Sequence, residues 1–157
     1  MSADPRDIVK ARPVYRVIVL VGGSVGIAIM VLAGMALFIA DTRTLPASSA
    51  DAVLLVLALL AACAIAASVV VRRRAVSKAS SASGLPGALA TLRTGIIVAC
   101  ALAEVPAALG FTFVVVGGSI MWMPAFFGGA LLTLAFAIPR PSQWEEWLAG
   151  IQSPLDS

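Results

Sequence analysis

The sequence predicts an all-α, polytopic membrane protein: a four-transmembrane-helix bundle that occupies residues 1–157 as a single integral membrane domain, with short interfacial helices at the termini. Three observations carry that prediction. Of the 157 residues, 61% are hydrophobic and 12% are charged, the latter about half the share of a soluble domain. The mean hydropathy is +1.03. The apolar residues stand in long unbroken blocks, each close to the roughly 20 residues a helix needs to cross a bilayer, and not in a short amphipathic period.

Residues 1–13, MSADPRDIVKARP, read as a short amphipathic segment. Asp4 suits a cap ahead of Pro5, and Arg6, Lys10 and Arg12 accompany Ile8 and Val9. A surface helix on anionic headgroups and a frayed tail both fit it. A cleaved signal peptide does not, because the apolar run that follows exceeds the roughly 7–15 residues of such a segment and ends in Asp41-Thr42-Arg43. The first span covers about 17–40, with Gly22, Gly26 and Gly34 on nearly one face. Small residues let helices approach closely where lipid removes the hydrophobic drive for association. Residues 41–51 form a polar turn broken by Pro46.

The second span, about 52–71, repeats Ala58, Ala62 and Ala66 at i+4, a second packing stripe, and stops at Arg72-Arg73-Arg74 with Lys78 following. Residues 75–87, AVSKASSASGLPG, read as the longest loop. The third span covers about 92–116, and its helix has a suitable start as early as Pro86, with Arg93 at the membrane boundary. Gly117-Gly118-Ser119 separates it from the fourth span, about 120–138, which opens near Trp122, an interfacial aromatic, and stops at Pro139-Arg140-Pro141. An interfacial helix follows over about 143–152. Ser142 and Glu145 fit a capping box, and Trp144, Trp147, Leu148 and Ile151 share a face that sets both tryptophans at headgroup level. A docking helix for a partner protein is the competing reading of the same face.

The formal net charge is +3, and the basic residues gather at membrane edges without interleaved aromatics. Nucleic acid is therefore not an expected partner. Histidine is absent, and Cys63 and Cys100 lie within apolar blocks, where they read as small buried residues and not as a disulfide or metal pair. No metal, cofactor or catalytic residue is expected, because no nucleophile–base pair, metal cluster or nucleotide motif occurs, so the chain does not read as an enzyme. Arg6, Lys10, Arg12 and Arg16 precede the first span, and Arg72, Arg73, Arg74 and Lys78 follow the second. The positive-inside rule then sets both termini in the cytoplasm of a multi-pass protein of the cell inner membrane. The Arg72–Lys78 cluster is a topology signal or a lipid-headgroup site.

Glu104 is the acidic residue set deepest in an apolar run. It lies about 16 Å from Arg93 along a helix, and a carboxylate at mid-span costs roughly 2.5 to 3.5 kcal/mol to insert. Gly95, Ala99, Ala103 and Ala107 form a ladder of small residues beside it. Pro106 removes a backbone donor and leaves the carbonyl near Leu102 without its helical bond. Glu104, Leu102 and Pro106 are the expected ion-binding set, with Glu104 carrying a proton at rest and exchanging it or holding a cation. The structural alternative is a neutral carboxyl that bonds to backbone and joins helices.

Ala101-Leu102-Ala103-Glu104, followed by Ala107 and Gly110, resembles the carboxylate helix of the c subunits of rotary ATPases, the proteolipids. The second span, the basic loop and the third span also resemble the order of a proteolipid hairpin. The match in residues is confined to 99–116. It implies that Glu104 matches the carboxylate that carries the proton or sodium ion. Two functions are expected. One is a proton- or cation-binding membrane subunit in a homo-oligomer or membrane complex. The other is a non-transporting structural, assembly or scaffold component. In either case the lipid bilayer is the chain's surroundings.

Overall fold

A computed structural model describes residues 5–39, 47–82 and 84–152. They form helices α1 (Pro5–Ile39), α2 (Ala47–Ser80) and α3 (Leu85–Val115), then a single 3-10 turn (Ile120–Trp122) leading into α4 (Met123–Ala137), and last α5 (Pro141–Gln152). No strand occurs among the described residues. Four stretches, Ala11–Ile39, Ser49–Ser80, Leu85–Val115 and Ile120–Ala137, are long and apolar enough to cross a membrane. Helix is the form such segments must take, because hydrocarbon offers no partner to backbone N–H and C=O groups. The chain is a four-helix membrane bundle, and Asp4, Arg43 and Pro46 lie outside the described residues.

Helix α1 is longer than its predicted span. At about 1.5 Å per residue its 35 residues reach about 52 Å, well beyond the roughly 30 Å of hydrocarbon. The basic N-terminal segment therefore continues the span as one helix. Pro13, inside that helix, forfeits one backbone bond.

Helix α2 also outruns its span, and here the predicted loop over 75–87 is corrected. The chain stays helical to Ser80. Ala75 and Ala79, one turn apart, are buried against the start of α3, where Ala88 and Leu92 are buried in turn. At the helix end Ser80 Oγ donates to the Ser77 carbonyl at 2.8 Å and Ser81 Oγ to the Lys78 carbonyl at 3.1 Å. Such local bonds compete with helix, so it is the burial of the alanines that holds this serine-rich stretch helical to Ser80.

Helix α3 is the central element and packs on α1, α2 and α4. Gly84, with φ 98°, precedes it, and Pro86 occupies its first turn. Its C-terminus closes in a Schellman turn. Gly118 N–H donates to the Phe113 carbonyl at 2.8 Å and Gly117 N–H to the Val114 carbonyl at 2.9 Å. Gly117 takes φ 95°, a left-handed conformation that glycine adopts without penalty. Ser68 Oγ, buried on α2, donates to the Ala99 carbonyl of α3 at 2.9 Å. Ser68→Ala is expected to cost about 0.6 kcal/mol, the mean for an interhelical side-chain bond in lipid, measured by unfolding in mixed detergent micelles.

Helix α5 folds back on the basic end of the bundle. Its cap differs from the predicted Ser142/Glu145 box by two positions. The helix starts at Pro141, so Arg140 is the capping residue and Gln143 stands three beyond it. Gln143 Oε1 accepts from Arg140 N–H at 3.4 Å, and Trp144 N–H donates to the Arg140 carbonyl at 3.0 Å. Only half of the box is kept, because arginine offers no side-chain acceptor, and Pro141, pre-set for the first helical position, decides its register.

Candidate functional site

Glu104 sits about 16 Å from the Val115 end of α3, near half the depth of the hydrocarbon. It is half-buried. Its helical neighbours explain why. Cys100 and Ala107, at i−4 and i+3, are fully buried, whereas Ala101 and Ala108, at i−3 and i+4, are exposed. The carboxyl therefore lies on a seam where the bundle interior meets its outer surface. Cys100 Sγ is 4.0 Å from the position a Cβ would take on Gly22 of α1. Helices α1 and α3 run in the same direction, so Glu104 stands one turn further on, level with Gly26. Among the described residues Glu104 has no hydrogen-bond or ion-pair partner.

The three expected ion-site residues do not converge. Pro106 is fully buried and turns away from Glu104, lining a groove of about 440 Å³ between α2 and α4 with Ala61, Ala62 and Phe126. Leu102 is half-buried, and no described side chain donates to its carbonyl. No three His, Cys, Asp or Glu side chains gather among the described residues.

The expected packing residues separate into two groups. Ala99, Ala103 and Ala107 are fully buried. A Cβ on Gly95 would meet the Cβ of Ala75, and one on Gly22 would come within 2.8 Å of Ile138 Cγ1. Gly26 has ordinary contact with Leu134, at 3.5 Å, whereas Gly34 has nothing within 4 Å. On α2, Ala58, Ala62 and Ala66 all face outward, and Ala61, Ala64 and Ser68 are the residues that turn inward. Cys100 is buried, but Cys63 is exposed on the outer face, which corrects the expectation that both are buried.

The basic end holds a cluster that sequence reasoning missed. Trp122 is exposed at the far end of the bundle, and Trp147 is half-buried. Trp144 is only 5% exposed, packed inside the protein. Its ring lies 5.6 Å from that of Tyr15 on α1, whose hydroxyl donates to the Pro139 carbonyl at 3.5 Å. Arg72 Nη2 donates to Gln143 Oε1 at 3.2 Å, and the guanidinium lies 5.6 Å from the Trp147 ring centroid. Arg73, Arg74 and Lys78 are exposed. Leu148 and Ile151 carry side chains outside the described ones. The i, i+3 spacing of the two tryptophans signals a shared face, but nothing local marks Tyr15 or Arg72 as what that face meets.

Compared with known protein families, characterised proteins and solved structures, the chain matches none.

Proposed function

We propose that the chain is a non-enzymatic integral membrane subunit, with both termini on the cytoplasmic side of the cell inner membrane, whose Glu104 takes up and releases a proton within an assembly of further copies or partner chains. The observation that carries this reading is the half-buried Glu104, without a partner among the described residues, on the seam between the interior of the bundle and its outer surface. An ionisable group at that depth needs a partner or a role. A proton is favoured over a metal cation because hard cations take six or more oxygen ligands or retained waters, and among the described residues acidic side chains do not gather at Glu104. The seam leaves one side of the carboxyl open to a neighbouring chain, which supports an assembly.

The second reading is a structural or assembly component in which the same carboxyl, permanently neutral, bonds to the backbone of a partner helix. The observation that favours it is the lack of any described polar neighbour to relay a proton to Glu104. Carbodiimide modification of the reconstituted protein separates the two. Proton exchange predicts a mass shift at Glu104 that declines as pH is raised and is abolished by Glu104→Gln. Modification that does not change with pH, with assembly kept in Glu104→Gln and lost in Glu104→Leu, would replace the first reading with the second.

A further inference from the structure

We propose that the groove between α2 and α5 at the basic end binds the phosphodiester of an anionic phospholipid, a site separate from Glu104 and independent of any role given to it. Arg72 and Arg73 line a cavity of about 430 Å³ with Gln143, Glu146 and Trp147. The same two arginines line a narrower cavity of about 190 Å³ between α2 and α4, with Val69, Thr133 and Phe136. The two spaces meet at the arginines. Both have mixed linings, the second with Ser68 and Thr133 beside Val69 and Ala137, and the second opens beside Phe136, which is 68% exposed. A phospholipid joins the same two features, a phosphate for the arginines and acyl chains for the exposed ring.

Arg73 is exposed and has donors to offer. Arg72 Nε has no hydrogen-bond partner among the described residues but is itself buried, which leaves the terminal nitrogens of Arg72 to meet a phosphate. Among the described residues neither Arg72 nor Arg73 has a carboxylate within salt-bridge distance. Trp147 and Gln143 hold the Arg72 guanidinium in place, which lowers the ordering cost of binding a phosphate. Planar guanidinium forks match phosphate oxygens, and basic pockets between membrane helices are suited to anionic headgroups. Glu146 on the rim favours a singly charged diester over a doubly charged monoester, because a second negative charge would meet its carboxylate. The exposed Phe136 beside the arginines favours a lipid over free phosphate, which has nothing to place against it.

Native mass spectrometry of the full chain in mild detergent, with added phosphatidylglycerol, phosphatidylcholine or inorganic phosphate, tests the site. Phosphatidylglycerol is expected to be retained in preference to phosphatidylcholine, whose trimethylammonium adds positive charge to a basic groove. Excess inorganic phosphate is not expected to displace it. Arg73→Gln, at an exposed position with no described intrachain bond, is expected to lower retention about tenfold, as for loss of one charge-assisted hydrogen bond. Arg74→Gln removes the same charge from outside both cavities and is expected to leave retention unchanged. Phe136→Ala tests the apolar arm and is expected to lower retention without altering tryptophan fluorescence. Equal losses in Arg73→Gln and Arg74→Gln would reduce the site to diffuse surface charge and overturn the proposal. So would equal retention of the two lipids, or displacement by inorganic phosphate.

Discussion

Gly95→Leu is expected to force α2 and α3 apart and to be the most damaging single substitution in the bundle. A Cβ at that position meets the Cβ of Ala75 and lies 3.4 Å from Ala75 Cα, so the group that must yield is the α2 backbone itself. Overpacking a close-fitted interior costs about 1–3 kcal/mol and occasionally more. With backbone as the obstacle, the loss is expected at or above about 3 kcal/mol. Gly34→Leu is the matched comparison, because nothing lies within 4 Å of that glycine, and it is expected to cost less than about 0.5 kcal/mol. Unfolding in mixed micelles reads both. Equal losses would show that glycine acts at Gly95 through helix propensity and not through contact.

Arg72→Ala is expected to loosen α5 from the bundle. It removes the hydrogen bond to Gln143 and the stacking on Trp147, and it leaves the α5 cap intact, since Gln143 still accepts from Arg140 N–H. A hydrogen bond from a charged group contributes about 1.5–3 kcal/mol and a cation–π contact about 0.5–2 kcal/mol. A combined loss near 2 kcal/mol would speed amide exchange across α5 about thirtyfold. Arg72→Lys is expected to recover little of it, because an ammonium neither stacks nor presents a planar fork. Unchanged exchange would mean that the Tyr15–Trp144 contact alone seats the helix.

The four spans were legible because unbroken apolar length is a direct consequence of bilayer thickness. The turn between α3 and α4 was legible for a similar reason: Gly117-Gly118 interrupts that length. Which side of each helix turns inward was much less so. In a helix apolar all round, such as α2, alanine recurs on several faces. The Ala58, Ala62, Ala66 stripe looks the same in sequence as the Ala61, Ala64, Ser68 face that is buried. Cys63 and Cys100 differ in exposure for the same reason. On α3 the buried face includes Ala99, Ala103 and Ala107, and there the continuous run of small residues marked it.

The extension of α2 through Ser80 was not legible, because Ala-Ser-Lys composition suits a loop until Ala75 and Ala79 find α3. The cap of α5 was displaced because Pro141 dominates a helix start more strongly than the serine after it. For Glu104, depth could be read from sequence and the neighbourhood could not. Pro106, two residues on, necessarily projects from another side of the helix, so the pair does not form one site.

The Schellman turn at Gly117 and Gly118 has a consequence for how the protein enters its membrane. Only residues 116–119 join α3 to the segment that becomes α4. So short a link cannot let one helix cross while the other waits in water. The two must insert together as a hairpin. A lone span bearing a mid-depth glutamate carries an insertion penalty of roughly 2.5–3.5 kcal/mol. As half of a hairpin, α3 shares that penalty with α4, whose Met123–Ala137 sequence contains no charged residue at all. The glycine turn thus does more than end a helix: it makes the acidic span and its neutral companion a single passenger at the moment of membrane entry.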